Sequence, residues 1–165
     1  MNIRTSGLLA ATVLATALCA GTASAADYAV VHLHTDVDQP MEVVWKKVGG
    51  YCDIAAWLKV SCDLTSGTGE VGTVRHLTIR GNAVDEVLVA KTAHSYTYTQ
   101  PNTTILYHGT LEVVANGKGQ STLLYTLIWD QSADGSDDAK AKDRDGRTKA
   151  FTNALASMKA IAEAK

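Results

Sequence analysis

Along residues 28–37, YAVVHLHTDV, a β-branched run carries some apolar/polar alternation, which predicts a strand. Gln39-Pro40 stops it. The spacing then changes. In PMEVVWKKVGG, residues 40–50, Val43, Val44, Trp45 and Val48 predict a short helix, with Asp38 as N-cap and Gly49-Gly50 as terminator. DIAAWL, residues 53–58, predicts a second short helical turn. From Val60 the period is two. Strands are predicted over 60–64, 71–79, 83–92, 95–99, 105–114 and 121–129, with turns at Gly81-Asn82 and Asn116-Gly117-Lys118-Gly119. Consecutive strands with short turns make an antiparallel meander. A polar loop over 134–138 follows. From about Arg147 to Ala164, Phe151, Leu155, Met158, Ile161 and Ala162 recur at helical spacing on one face. The economical packing is α+β, with the sheet curled around the apolar face of that last helix.

Residues 1–25 stand apart from this pattern. Arg4 precedes the run LLAATVLATALCA, and Ala23-Ser24-Ala25 forms an A-x-A-like cleavage site. These features predict a secretory signal peptide, too short and wrongly flanked for a stable membrane anchor. Leu18 before Cys19 argues against lipid attachment. One mature domain over residues 26–165 is expected, periplasmic or secreted. Loss of Arg4 leaves 14 basic against 17 acidic side chains, so no basic stripe favours nucleic acid. Two cysteines remain in that domain, Cys52 and Cys62. In an oxidising compartment the pair predicts a disulfide contributing about 2–3 kcal/mol, with two buried free thiols as the alternative. The C-x-x-C spacing of a redox pair is absent.

The stretch GTGEVG, residues 67–72, spells the glycine pattern of a dinucleotide-binding loop, and Glu86 follows as an acidic residue. Such a loop needs a helix opening on its third glycine. Gly72 instead opens TVRHLTI, a β-branched run in an antiparallel meander, so Gly67, Gly69 and Gly72 are turn and bulge residues. No G-x-S-x-G word is present, and the acids over 134–145 do not fit a calcium loop. His32 and His34 share one strand face but lack an obvious third metal ligand. No metal and no cofactor is expected.

In order, the words DQPMEVVWKKVG, IAAWL, GTGEVGTVRHL, DEVLVAKTAHSYTYT and NTTILYHGTLEV resemble the START-like, helix-grip superfamily, also called SRPBCC. They are most similar to small bacterial members of polyketide cyclase/dehydrase type, and more distantly to the plant abscisic-acid receptors. The resemblance implies a curved antiparallel sheet of about seven strands gripping a long C-terminal helix, two short helices after the first strand, and an internal cavity. It implies a pocket-facing carboxylate at Glu86 and pocket aromatics at Tyr98 and Tyr107. The chain departs from the receptors at three places. Their Ser-Gly-Leu-Pro gate is Arg80-Gly81-Asn82-Ala83 here, their His-Arg-Leu latch is Asn102-Thr103-Thr104, and their ligand-pairing lysine aligns with about Ala56.

Alternation along the strands gives a matching pocket face: Glu86, Leu88 and Ala90, then Tyr96 and Tyr98, then Ile105, Tyr107 and Gly109. A wall of tyrosine and leucine with one carboxylate suits a small apolar molecule; the alternative is that the aromatics simply fill the core. Glu86 buried in such a wall could donate a hydrogen bond or move protons, and Arg75 on the neighbouring strand is the candidate partner of a purely structural pair. The expected ligand site is therefore Glu86, Leu88, Tyr96, Tyr98, Tyr107 and Arg75. The expected function is an exported protein binding a small hydrophobic or amphipathic molecule, such as a lipid, an aromatic or a polyketide-like compound. The alternatives are a cyclase/dehydratase-like enzyme using the same cavity, or a periplasmic accessory protein with a filled core.

Overall fold

In a computed structural model, residues 25–165 are described; the leader expected over residues 1–25 lies, but for Ala25, outside the described residues. Seven strands form one antiparallel sheet. Strand β1 (Tyr28–Val37) precedes helices α1 (Met41–Val48) and α2 (Ile54–Leu58). Then come β2 (Ser61–Ser66), β3 (Val74–Ile79), β4 (Asn82–Lys91), β5 (Ser95–Thr99), β6 (His108–Ala115) and β7 (Ser121–Asp130), and α3 (Asp137–Glu163) closes the chain. The spatial order is β1-β7-β6-β5-β4-β3-β2, so β2 to β7 form a meander and β1 returns to pair with β7. This is the α+β helix-grip arrangement.

Helix α3 has 27 residues, so it is about 40 Å long. Its two halves do different things. In the C-terminal half, Ala154, Leu155, Met158 and Ala162 are buried. They belong to one core with Leu111, Leu123, Tyr125 and Leu127 of the sheet and with Val44, Val48 and Trp57 of the short helices. Lys47 Nζ donates to the Ala162 and Ala164 carbonyls at 2.9 and 2.6 Å, placing a cation on the negative end of the helix. At the other end Ser136 is the N-cap, its Oγ accepting from the Ala139 N–H at 3.2 Å, and Asp137 and Asp138 occupy the first turn.

Several boundaries differ from the pattern-based expectation. Helix α3 starts ten residues earlier than Arg147. Pro40, not Asp38, occupies the N-cap of α1, and its carbonyl accepts from the Val43 and Val44 N–H groups. Asp38 instead accepts from Gln120 Nε2 at 2.8 Å and ties the helix entry to the β6–β7 hairpin. The β3–β4 turn is Arg80-Gly81, closed by the Ile79–Asn82 pair. Both turn residues have positive φ (51° and 84°), the two-residue geometry that fits the twist of a hairpin. Strand β6 begins at His108 because Leu106 at φ 47° breaks the extended run. The GTGEVG glycines all have positive φ, and Gly72 N–H donates to the Leu88 carbonyl while Leu88 N–H donates to Thr73. They shape a loop feeding β3, with no helix behind it.

Ala90 does not share the face of Glu86 and Leu88. A bulge at Val89 lets Leu88 pair with Tyr98 and Ala90 pair with Thr97, so the alternation flips and Ala90 is exposed. Cys52 and Cys62 are bonded, with Cα atoms 5.6 Å apart, and the bridge fastens the segment before α2 to edge strand β2.

Candidate functional site

Strands β3, β4 and β5 bring Arg75, Glu86 and Tyr98 onto the concave face of the sheet. Arg75 and Glu86 are cross-strand partners, 0% and 2% exposed. Arg75 Nε and Nη2 both donate to Glu86 Oε2, at 2.8 and 2.6 Å, and Nη1 donates to the Tyr51 carbonyl. Gln100 Nε2 donates to Glu86 Oε1 at 2.9 Å. Every partner of the carboxyl oxygens is thus a donor, the arrangement an ionised carboxylate takes.

Tyrosines surround the guanidinium. Its carbon lies 4.2 Å from the Tyr51 ring centre, 4.7 Å from that of Tyr98 and 5.7 Å from that of Tyr96. These are cation–π distances. Burial acts against the charge of Arg75, but the neighbouring tyrosines and Glu86 outweigh it and hold the group above its ordinary value. The Tyr98 and Tyr125 hydroxyls bond each other at 2.9 Å. Gly109, opposite Tyr98 in the ladder, makes this packing possible, since a Cβ there would overlap the Tyr98 ring. Burial pushes the hydroxyls of Tyr51, Tyr96, Tyr98, Tyr107 and Tyr125 above the ordinary tyrosine value.

Beside this cluster lies a cavity of about 1080 Å³, between the sheet, α2 and the N-terminal half of α3. Its apolar wall includes Ile54, Leu58, Val60, Leu77, Ile79 and Phe151. Phe151 stands where the helix changes role: its ring packs on Tyr125 at 4.6 Å, and the helix N-terminal to it borders the cavity. Glu86, Gln100, Tyr98 and Tyr107 are its inner polar groups. Arg147 lies on the helix side, bonded through Nε to both oxygens of Asp143 (3.1 and 2.9 Å) and set over the Tyr107 and Trp129 rings at 5.4 and 4.7 Å.

Of the six residues expected to form the site, Glu86, Tyr98 and Tyr107 border this cavity. Arg75, Leu88 and Tyr96 sit behind them in the packed core, Tyr96 among Trp45, Tyr51 and Tyr98. The residues that sequence reasoning missed lie on α2, on β3 and on the first half of α3. Leu77 and Ile79 were within reach, because they share the strand face of Arg75. The α3 residues carry no apolar stripe, and only the Ser136-Asp137-Asp138 cap signal marks them.

The other polar candidates are accounted for locally. His32 Nδ1 bonds Thr126 Oγ1 at 3.1 Å, and no group of three metal-ligand side chains occurs among the described residues. His94 sits at the β5 corner, where its carbonyl accepts from Val113 N–H. Among the described residues no helix is long and apolar enough to cross a membrane.

Comparison with known proteins agrees with this architecture. Residues 28–163 match the family described as polyketide cyclase/dehydrase and lipid transport. No curated protein sequence matches the chain. Among solved structures, the Zhui aromatase/cyclase from Streptomyces sp. R1128 is similar at a TM-score of 0.68 and 16% identity, covering 83% of this chain and 94% of that one. The protein XoxI from Bacillus cereus gives 0.67 and 21%, with 82% and 96% covered. An uncharacterized protein from Bacillus thuringiensis gives 0.65 and 23%, with 79% and 96% covered. At these identities the likeness is one of fold.

Proposed function

We propose a function from one premise: the chain belongs to the polyketide cyclase/dehydrase and lipid transport family. It is an exported binding protein that holds one small hydrophobic or amphipathic molecule between the sheet and the first half of α3. The observation that carries this reading is the cavity itself. At about 1080 Å³ it lies just above the roughly 300–1,000 Å³ typical of small-molecule sites. Its apolar wall with a few inward polar groups matches what such sites need. Desolvation of an apolar body against Leu77, Ile79 and Phe151 supplies the affinity, and the Tyr107 hydroxyl and Gln100 orient the ligand.

A cyclase-like reaction would have to use Glu86, Tyr98 or Tyr107, the groups on the inner wall able to move a proton. Glu86 is already engaged by Arg75 and Gln100, which favours binding over proton transfer. Export rests on the leader pattern of residues 1–25, and the Cys52–Cys62 bond supports an oxidising compartment such as the periplasm. Native mass spectrometry of the protein purified from its own compartment tests the reading. A retained organic mass that denaturation releases is expected. Protein that is always empty, and that takes up no apolar probe, would reject it.

A further inference from the structure

The charged groups bordering the cavity are unevenly matched. Five are basic (Lys59, Arg80, Lys142, Arg147 and Lys149) and two are acidic, Glu86 and Asp143. Both acids are already paired, Glu86 with Arg75 and Asp143 with Arg147. That leaves Lys59, Arg80, Lys142 and Lys149, none within salt-bridge distance of an acid among the described residues. All four are exposed while bordering the cavity, so they stand at its mouth. The chain as a whole carries a formal charge of −2, so this concentration of cations is local.

The backbone at the mouth points the same way. Only three non-glycine residues among those described have positive φ, and two of them are Lys59 (57°) and Arg80 (51°). Glycine or asparagine adopts that conformation at lower cost. Each place thus carries a long basic side chain in a conformation that glycine or asparagine adopts at lower cost, and strained positions of this kind gather at functional sites.

We infer that the ligand is an amphiphile with one anionic head group, bound head-out: its apolar body lies against Leu58, Leu77, Ile79 and Phe151, and its head rests among Lys59, Arg80, Lys142 and Lys149. The inner end excludes the opposite orientation. There Glu86 faces the cavity and the Tyr98 and Tyr107 hydroxyls border it, whereas both nearby cations are already engaged: Arg75 is fully buried and spent on Glu86 and Tyr51, and Arg147, over the Tyr107 ring, is paired with Asp143. An anion at the inner end would meet a carboxylate, while an anion at the mouth meets four free cations. Ammonium heads of the same size are repelled by that ring. This inference rests on the cavity being a binding site, and deepens that reading by naming the charge and direction of the ligand.

Matched probes test it. Sodium dodecanoate and dodecan-1-ol share one body, and 1-pyrenebutanoate and 1-pyrenebutanol share another. Binding to the purified protein is measured by calorimetry and fluorescence below micellar concentrations. Four exposed charge contacts together predict that each acid binds about tenfold tighter than its alcohol at low salt. The ratio should shrink in 0.5 M sodium chloride, where exposed charges are screened within about 4–5 Å. The triple variant Arg80→Asn, Lys142→Gln, Lys149→Gln should bring the ratio to within about twofold. Asparagine suits positive φ and glutamine is a good helix former, so the fold is kept. Alcohols binding as tightly as the acids would overturn the anionic head while leaving the cavity reading intact. Acids favoured in the wild type but equally favoured in the triple variant would overturn the head-out placement. If no probe binds on either body, the binding reading fails and this inference with it.

Discussion

Arg75 and Glu86 are partners twice over: they sit opposite each other in the β3–β4 ladder, and both guanidinium nitrogens facing β4 close on the single oxygen Oε2. The pair forms the floor between the packed core and the cavity. Its burial makes it sensitive to one-sided change. Arg75→Met leaves a carboxylate without its counterion, and Glu86→Leu leaves a guanidinium without one. Each should cost about 3–5 kcal/mol in urea-induced unfolding. The double variant should be more stable than either single, because neither charge is then stranded. Losses that simply add would mean that the two side chains are energetically independent.

The tyrosine cluster sets the alkaline limit. Burial raises Tyr51, Tyr96, Tyr98, Tyr107 and Tyr125 in the folded state above their unfolded value near 10. Between those two values the unfolded chain has released protons that the folded chain retains, so stability falls as pH rises. The contribution is complete below about pH 10 and is lost above it, at about 1.4 kcal/mol per pH unit for each tyrosine. Absorbance of tyrosinate should therefore rise steeply together with loss of the far-ultraviolet helix signal. Gradual ionisation of these five rings in a protein that stays folded would contradict this.

How far the sequence could be read depends on what buries each residue. The strands of the meander showed because their inward positions are covered by protein, as Tyr96 and Tyr98 are. The second half of α3 showed for the same reason, through Leu155 and Met158. The first half was missed because Lys142, Asp143, Gly146 and Arg147 face a cavity rather than a core, and periodicity in hydrophobicity records only burial by protein. Alternation placed Glu86 on the inner face correctly, but could not anticipate the Val89 bulge that turns Ala90 outward. Nor could it separate the residues bordering the cavity, such as Tyr98, from those behind them, such as Leu88, since both are inward positions of adjacent strands. That separation is made by where α3 leaves the sheet.

The disulfide closes ten positions of chain between the α1–α2 segment and edge strand β2. Replacing both cysteines by alanine should lower stability by about 2–3 kcal/mol on the chain-entropy account. Because α2 and Val60 form one wall of the cavity, the loss should be felt there first. Hydrogen exchange should accelerate over residues 52–62 before it does in β6 and β7. Thiol labelling of unfolded, unreduced protein should find no free cysteine in that pair.

Gly146 offers a test that separates stability from binding. It lies within α3, borders the cavity, and a Cβ placed on it would meet nothing within 4 Å. Glycine inside a helix is about 1 kcal/mol less favourable than alanine. With no packing reason for the missing methyl group, Gly146→Ala should stabilise the ligand-free protein by about that amount, seen as a higher Tm. The new methyl group adds bulk at the edge of the cavity, so any ligand that lies close along the helix should bind less tightly. A stabilised variant with weakened binding would show that the glycine keeps space open for the ligand. A stabilised variant with unchanged binding would place the ligand body away from the helix, against Leu77 and Ile79. A variant that loses stability would mean that the helix is strained at this position in a way its geometry does not reveal.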